Sequence, residues 1–124
     1  MKIAKTIIRF LLGIMLIVFG LNKFLQFMPM PPLPDDAGAF MGALVASGYI
    51  LPIVALVEIG TGILLLINKF KALALVILFP VMLNAFLFHL FLDLPGIGAA
   101  ALAIIMNAFL IISEKESYQG LLKA

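Results

Sequence analysis

Four long stretches of the chain are almost wholly apolar. They cover about residues 6–27, 49–67, 72–91 and 95–112. A helix needs roughly 17 to 25 residues to cross a bilayer hydrocarbon core about 30 Å thick. The pattern therefore predicts four membrane-spanning helices, with residues 1–124 forming one membrane domain.

The connections between the last three spans are very short, and this restricts how the helices can be arranged. Residues 68–71 and 92–94 leave room only for tight turns. Helices joined by such turns pack as antiparallel neighbours. The predicted fold is therefore all-α, an integral membrane four-helix up-down bundle.

The one long connection lies between the first two spans and is predicted to contain a short helix. A proline cluster opens it and forces extended backbone, after which Asp35 and Asp36 offer an N-cap. Apolar side chains then recur at helical spacing up to Ser47 and Gly48, opposite a face of Gly and Ala. Because neither face carries a charge, we predict that this helix lies in the membrane interface or covers the mouth of the bundle.

The composition supports the lipid bilayer as the main partner. Of the 124 residues, 65% are hydrophobic and 11% are charged, and the mean hydropathy is +1.30. Soluble domains carry roughly 25% charged residues, so a water-soluble globule is excluded. The net charge of +2 comes from few groups and cannot form a nucleic-acid interface. Because cysteine is absent, any redox role must use a bound cofactor.

The basic residues predict the orientation of the four spans. With the N-terminus inside, seven of the eight fall on the cytoplasmic side, and Lys23 alone lies outside. Short cytoplasmic loops retain positive charge, so both termini are predicted to be cytoplasmic. No small-residue cleavage site follows the first span, which is therefore predicted to remain as an uncleaved helix.

Glu58 lies at the centre of the second span and is the first candidate for chemistry. An ionised carboxylate there costs about 2.5 to 3.5 kcal/mol on insertion scales. By depth along the bundle, Glu58 is expected to reach Asn84 or Asn107. Two interpretations stay open: a protonated acid that bonds a neighbouring helix, or a group that carries a proton or binds a ligand.

A second polar layer is predicted nearer the outer surface. Asn22, Lys23 and His89 lie about 8 to 12 Å from the midplane, and Asp93 lies at the outer end. His89 and Asp93 are spaced i, i+4, so the carboxylate can fix the imidazole tautomer or hold its charged form. One histidine without cysteine makes a poor metal site, and no metal is predicted.

Other polar and small residues have simpler explanations in helix packing. Asn22, Asn84 and Asn107 are typical of hydrogen bonds between helices. Asn84 is rotated about 140° from His89 on the third span, so the two cannot point at one axis. Small residues let membrane helices approach closely, and the candidates are Gly13, Gly20, Gly60, Thr61, Gly62 and the stripe Ala99, Ala103 and Asn107.

Several short motifs resemble those of the DoxX family of small bacterial four-helix membrane proteins. They are 19–24 (FGLNKF), 47–49 (SGY), 51–58 (LPIVALVE), Pro80 with Asn84, and 89–93 (HLFLD). The resemblance implies an inner-membrane protein. Some relatives are subunits of thiosulfate:quinone oxidoreductases or associate with redox and oxidative-stress enzymes, and many have no known role. Glu58, Asn84 and His89 match the polar positions of the family pattern.

Three functional hypotheses follow from these residues and from the resemblance. In the first, the protein is a membrane subunit or accessory that binds a quinone and works beside a redox partner protein. Its site would use Glu58, Asn22, Lys23 and His89, with ring contacts from Phe86, Phe88 and Phe91. In the second, it is a small proton-coupled permease or channel with Glu58 as the relay. In the third, it is a structural scaffold, and the sequence leaves the oligomeric state open.

Overall fold

The computed structural model describes residues 2–26 and 33–122, and these ranges are helical almost throughout. The α-helices are α1 (Lys2–Leu25), α2 (Asp35–Ala46), α3 (Ile50–Ile67), α4 (Lys71–Leu92) and α5 (Ile97–Ser113). Short 3-10 segments cover Leu94–Gly96 and Lys115–Leu122. The end of the first predicted span at residue 27, the proline cluster and Lys123 lie outside the described residues.

The four long helices form the predicted up-down bundle. α1, α3, α4 and the segment Leu94–Ser113 that contains α5 are each long and apolar enough to cross a membrane. α3 packs against α1 and α4, and α5 packs against α4 and α1, so the four form a closed ring of neighbours. The predicted all-α bundle is therefore confirmed.

The bundle is apolar both inside and outside. Its core is a cluster of buried leucines and methionines that includes Leu12, Leu16, Leu75 and Leu78. Large apolar side chains also cover the outer surface, as with Ile53 at 54% and Ile105 at 64% exposure. An apolar surface of this extent fits lipid, because α-helices satisfy their backbone hydrogen bonds internally and can face hydrocarbon.

Glycines bring α1 and α3 into close contact. A Cβ atom placed on Gly62 would lie 2.7 Å from both the Gly13 carbonyl oxygen and Ile17 Cγ1. A Cβ atom on Gly20 would lie 3.0 Å from the Ala55 carbonyl oxygen. The predicted contact roles of Gly13, Gly20 and Gly62 are confirmed.

Gly60 departs from the prediction. It lies on the exposed side of α3, where an added Cβ would meet nothing within 4 Å. It therefore offers a matched control for Gly62, two residues away on the same helix.

We expect Gly62→Ala to destabilise the bundle by about 1 to 3 kcal/mol, because the added methyl group overpacks the α1–α3 contact. Gly60→Ala should leave the stability unchanged or raise it. Unfolding of both variants by SDS in mixed micelles measures the difference. Equal midpoints would show that α1 and α3 do not approach as described.

The helix of the outer connection differs in detail from its prediction. The N-cap of α2 is Pro34, and no side chain bonds the helix start, so the expected capping by Asp35 and Asp36 is wrong. Both acids lie in the first turn, where a negative charge suits the helix dipole. At the other end, Ser47 Oγ accepts hydrogen bonds from the backbone N–H groups of Tyr49 and Ile50, which links α2 to α3.

α2 packs across one end of the bundle against α3 and α4. Its Ala37 is fully buried, and the Phe40 ring lies 5.6 Å from the ring of Phe88 on α4. Val45 stays 58% exposed. We call this end, where α1 and α4 finish and α3 begins, the outer end.

Candidate functional site

A buried ion pair joins α1 to α3 in the outer half of the bundle. Lys23 Nζ, from the last turn of α1, lies 2.7 Å from Glu58 Oε1 at the middle of α3. The close approach of the two helices at Gly20 and Ala55 helps to bring these side chains together. Glu58 is only 4% exposed, whereas the Lys23 side chain is 27% exposed. The ammonium group therefore lies between the buried carboxyl group and the surface.

The residue paired with Glu58 is Lys23, and not Asn84 or Asn107, which were predicted from the depth of Glu58 in the bundle. Asn107 is fully buried on α5 and donates a hydrogen bond of 3.2 Å to the Leu75 carbonyl oxygen on α4. Its predicted role as an interhelical hydrogen-bonding residue is confirmed. Asn84 is exposed on α4, and its side chain forms no hydrogen bond with the described residues. The long Lys23 side chain spans the difference in depth that separates it from Glu58.

A second polar pair closes the outer end of α4. His89 Nδ1 lies 3.3 Å from Asp93 Oδ2 and 3.3 Å from the Asp93 carbonyl oxygen. The predicted i, i+4 pairing is therefore confirmed. The two side chains are 25% and 13% exposed, and the His89 ring meets the edge of the Phe88 ring at 5.1 Å. Through Phe88, this pair also adjoins α2.

Gly96 lies directly over the His89–Asp93 pair. A Cβ atom there would lie 2.8 Å from Asp93 Oδ2 and 2.8 Å from His89 Nδ1. Only a residue without a side chain therefore leaves the ring and the carboxylate in their places.

We expect Gly96→Ala to displace the imidazole from the carboxylate, whereas Gly98→Ala, with open space around it, should not. His89 is the only histidine of the sequence, so its ring nitrogens give unambiguous NMR signals. The nitrogen shifts should change in Gly96→Ala alone. Unchanged shifts in both variants would contradict the packing of Gly96 against the pair.

The remaining predicted residues lie in different places. Asn22 is half-buried beside Lys23 on α1 and is engaged with a partner. Ala103 is buried on α5, but Ala99 is exposed, so the buried stripe covers only Ala103 and Asn107. Within residues 2–26 and 33–122, no three His, Cys, Asp or Glu side chains form a group that could hold a metal ion.

Polar contacts at the opposite end of the bundle were missed by the sequence analysis. The Arg9 guanidinium donates to the Leu65 carbonyl oxygen on α3. Lys71 Nζ lies 2.8 Å from Glu114 Oε1, and the Tyr118 hydroxyl donates to the Ala72 carbonyl oxygen over 2.8 Å. Burial, and to a lesser extent the nearby Glu114 carboxylate, raises the pKa of Tyr118 above its ordinary value. We call this end, which holds both the start of α1 and the end of α5, the terminal end.

Comparison with known families agrees with this architecture. The DoxX family model matches residues 4–90, which is more than half of the chain. The chain belongs to the DoxX family. In this DoxX protein the matched region contains Lys23, Glu58, Asn84 and His89, whereas Asp93 and α5 follow it. The comparisons with curated proteins and with solved structures gave no match.

Proposed function

We propose that this DoxX protein binds a quinone, or another apolar ligand with a polar head, in the outer half of its bundle. In this proposal it acts as an inner-membrane subunit or accessory of a quinone-linked oxidoreductase or oxidative-stress complex. The observation that carries the proposal is the Lys23–Glu58 pair, in which a partly exposed cation lies against a buried carboxyl group. Ionisable groups inside a membrane protein are costly and commonly mark ligand or proton pathways.

Two separate polar pairs in the outer half offer donors that suit a quinone headgroup, one between α1 and α3 and one on α4. Quinone carbonyl oxygens accept hydrogen bonds, and Lys23 and His89 each offer a nitrogen donor on a partly exposed side chain. Glu58 lies behind Lys23, where it can give or take a proton through the ammonium group. Asp93 orients the imidazole. A bound quinone would supply electron-acceptor chemistry, and these residues would hold its head and manage the proton.

The aromatic residues divide between the core and the lipid-facing surface. Phe88 is buried between Phe40 and His89, so it supports the site from within. Phe91 is 75% exposed and Phe86 is half-buried, so these rings are available to an apolar tail that lies along α4. A ligand with a polar head and an apolar tail matches this arrangement.

One observation favours proton transfer as a second candidate function. Glu58 is buried at the middle of a spanning helix, which is where the relay of a proton-coupled permease would stand. Proton flux in liposomes separates the two candidates. Wild-type flux that disappears in Glu58→Gln would favour the permease. No flux in the wild-type protein would favour ligand binding.

Thermal protection tests the binding proposal. A soluble quinone analogue should raise the melting temperature of the detergent-purified protein, and the rise should be lost in Lys23→Met. Lys69→Met is the matched control, because Lys69 is exposed near the terminal end. Each variant is compared with its own ligand-free melting temperature. Protection that is absent from the wild type, or equal in Lys23→Met, would contradict the proposal.

A further inference from the structure

The terminal end of the bundle holds a cavity with basic walls. It has a volume of about 220 Å³ and lies between the start of α1, the end of α3, the start of α4 and the end of α5. Leu75 and Leu110 form part of its lining from the apolar core. The basic side chains around it are Lys2, Lys5, Arg9 and Lys71.

The charges of this cavity are poorly balanced within the protein. Among the described residues that line the cavity, Glu114 alone is acidic, and it is paired with Lys71. Arg9 donates to a backbone carbonyl and lies over the Phe10 ring, and it forms no ion pair with a described acidic residue. Lys2 and Lys5 form no ion pair with any residue of the described ranges. The cavity therefore presents an excess of positive charge that an anion would neutralise.

An apolar depression on the exposed surface of α1 lies next to the basic cavity. It is lined by Lys2, Ile3, Thr6 and Ile7, and it shares Lys2 and Thr6 with the cavity. Ile3 is 76% exposed and Ile7 is 53% exposed. A ligand that fills both features needs a negatively charged head and an apolar chain side by side.

We infer that this DoxX protein holds an anionic phospholipid at its terminal end, with the phosphate in the basic cavity and an acyl chain along Ile3 and Ile7. Lys2 and Lys71 are the first residues of spanning helices, so the cavity lies at the level where lipid headgroups meet the hydrocarbon core. Basic pockets between membrane helices are suited to anionic headgroups, and lysine and arginine form charge-assisted hydrogen bonds to phosphate. The site lies at the opposite end of the bundle from Lys23 and shares no lining residue with the Lys23–Glu58 pair, so the inference does not depend on the proposed function.

A free phosphate ion shares the headgroup chemistry, and the test must distinguish the two sources. We would measure binding to the detergent-purified full chain with phosphatidylglycerol, with phosphatidylcholine of the same chains, and with inorganic phosphate. Phosphatidylglycerol should bind at least about tenfold more tightly than either of the others, because it alone combines a net negative head with an apolar chain. Inorganic phosphate that binds as tightly as phosphatidylglycerol, or equal binding of the two lipids, would overturn the inference.

Matched charge variants locate the site. Lys2→Gln with Lys5→Gln removes two charges from the cavity, whereas Lys69→Gln with Lys115→Gln removes two exposed charges outside its lining. The first pair should weaken phosphatidylglycerol binding about tenfold or more, and the control pair should weaken it less than about threefold. The single variant Lys5→Gln replaces the first pair if the double variant does not fold, and it too should bind more weakly than the control. Equal losses in the cavity and control variants would show general attraction to the surface and would refute a site.

Discussion

Lys23→Met should be among the most destabilising single substitutions in this protein, at a cost of about 3 to 5 kcal/mol. The substitution leaves the Glu58 carboxyl group buried at the middle of α3 without the cation that lies 2.7 Å away. Breaking a buried pair from one side is costly because the remaining group keeps its desolvation penalty. Equilibrium unfolding by SDS in mixed micelles gives the free energy of each variant.

Glu58→Gln should cost much less than Lys23→Met. The remaining lysine is 27% exposed and can turn its ammonium group to the outer surface, while the amide oxygen of glutamine can still accept a hydrogen bond. The double variant Lys23→Met with Glu58→Leu should recover part of the loss, because no polar group of the pair stays buried. Lys69→Met, at an exposed position, is the control for removal of a lysine. Two results would argue against a coupled pair. One is a Glu58→Gln variant that is as unstable as Lys23→Met, and the other is a double variant whose loss of stability equals the sum of the losses of its two single substitutions.

Reporter fusions should show a second large effect, a difference in reporter activity between the two ends of the bundle. The cavity described above brings the start of α1 and the end of α5 to one end of the bundle, together with Lys2, Lys5, Arg9 and Lys71. Because basic residues are retained on the cytoplasmic side, a reporter fused after the last residue should lie in the cytoplasm. Alkaline phosphatase fused there should be inactive, and green fluorescent protein fused there should fluoresce.

A fusion at Gly48, between α2 and α3, is the internal control for this topology. Alkaline phosphatase should be active at that position, because the outer end is expected to face the periplasm. An active phosphatase at the C-terminus together with an inactive one at Gly48 would reverse the orientation. Activity at both positions would contradict an even number of spans.

The helices were predictable because a helix that crosses lipid needs a long apolar stretch, and such stretches are visible in the sequence. The third span, expected over residues 72–91, is observed as Lys71–Leu92. The start of α2 was less predictable, because two kinds of residue competed for the N-cap position. The Pro34 carbonyl accepts the Gly38 N–H group over 2.8 Å, so proline takes the place that the aspartates were expected to fill.

The candidate site was predictable only where its contacts are local. His89 and Asp93 are one helical turn apart, so their pairing follows from sequence spacing. Lys23 and Glu58 belong to different helices, and their contact depends on the rotation of α1 against α3 and on the glycine contacts between them. The lysine side chain is also long enough to bridge the difference in depth between the Cα atoms of Lys23 and Glu58. The Arg9 contact to Leu65, 56 residues away, depended on the same unknown rotation.

Photolabelling tests the central claim, that the outer half of the bundle binds a quinone headgroup, most directly. A photoreactive quinone in liposomes should label peptides that contain Lys23, Glu58 or His89, and excess unlabelled quinone should prevent the labelling. Lys23→Met protein that keeps the wild-type circular dichroism and gel-filtration profile should lose most of the label, whereas Lys69→Met should keep it. Label confined to the terminal end, or unchanged by competition and by Lys23→Met, would contradict the claim.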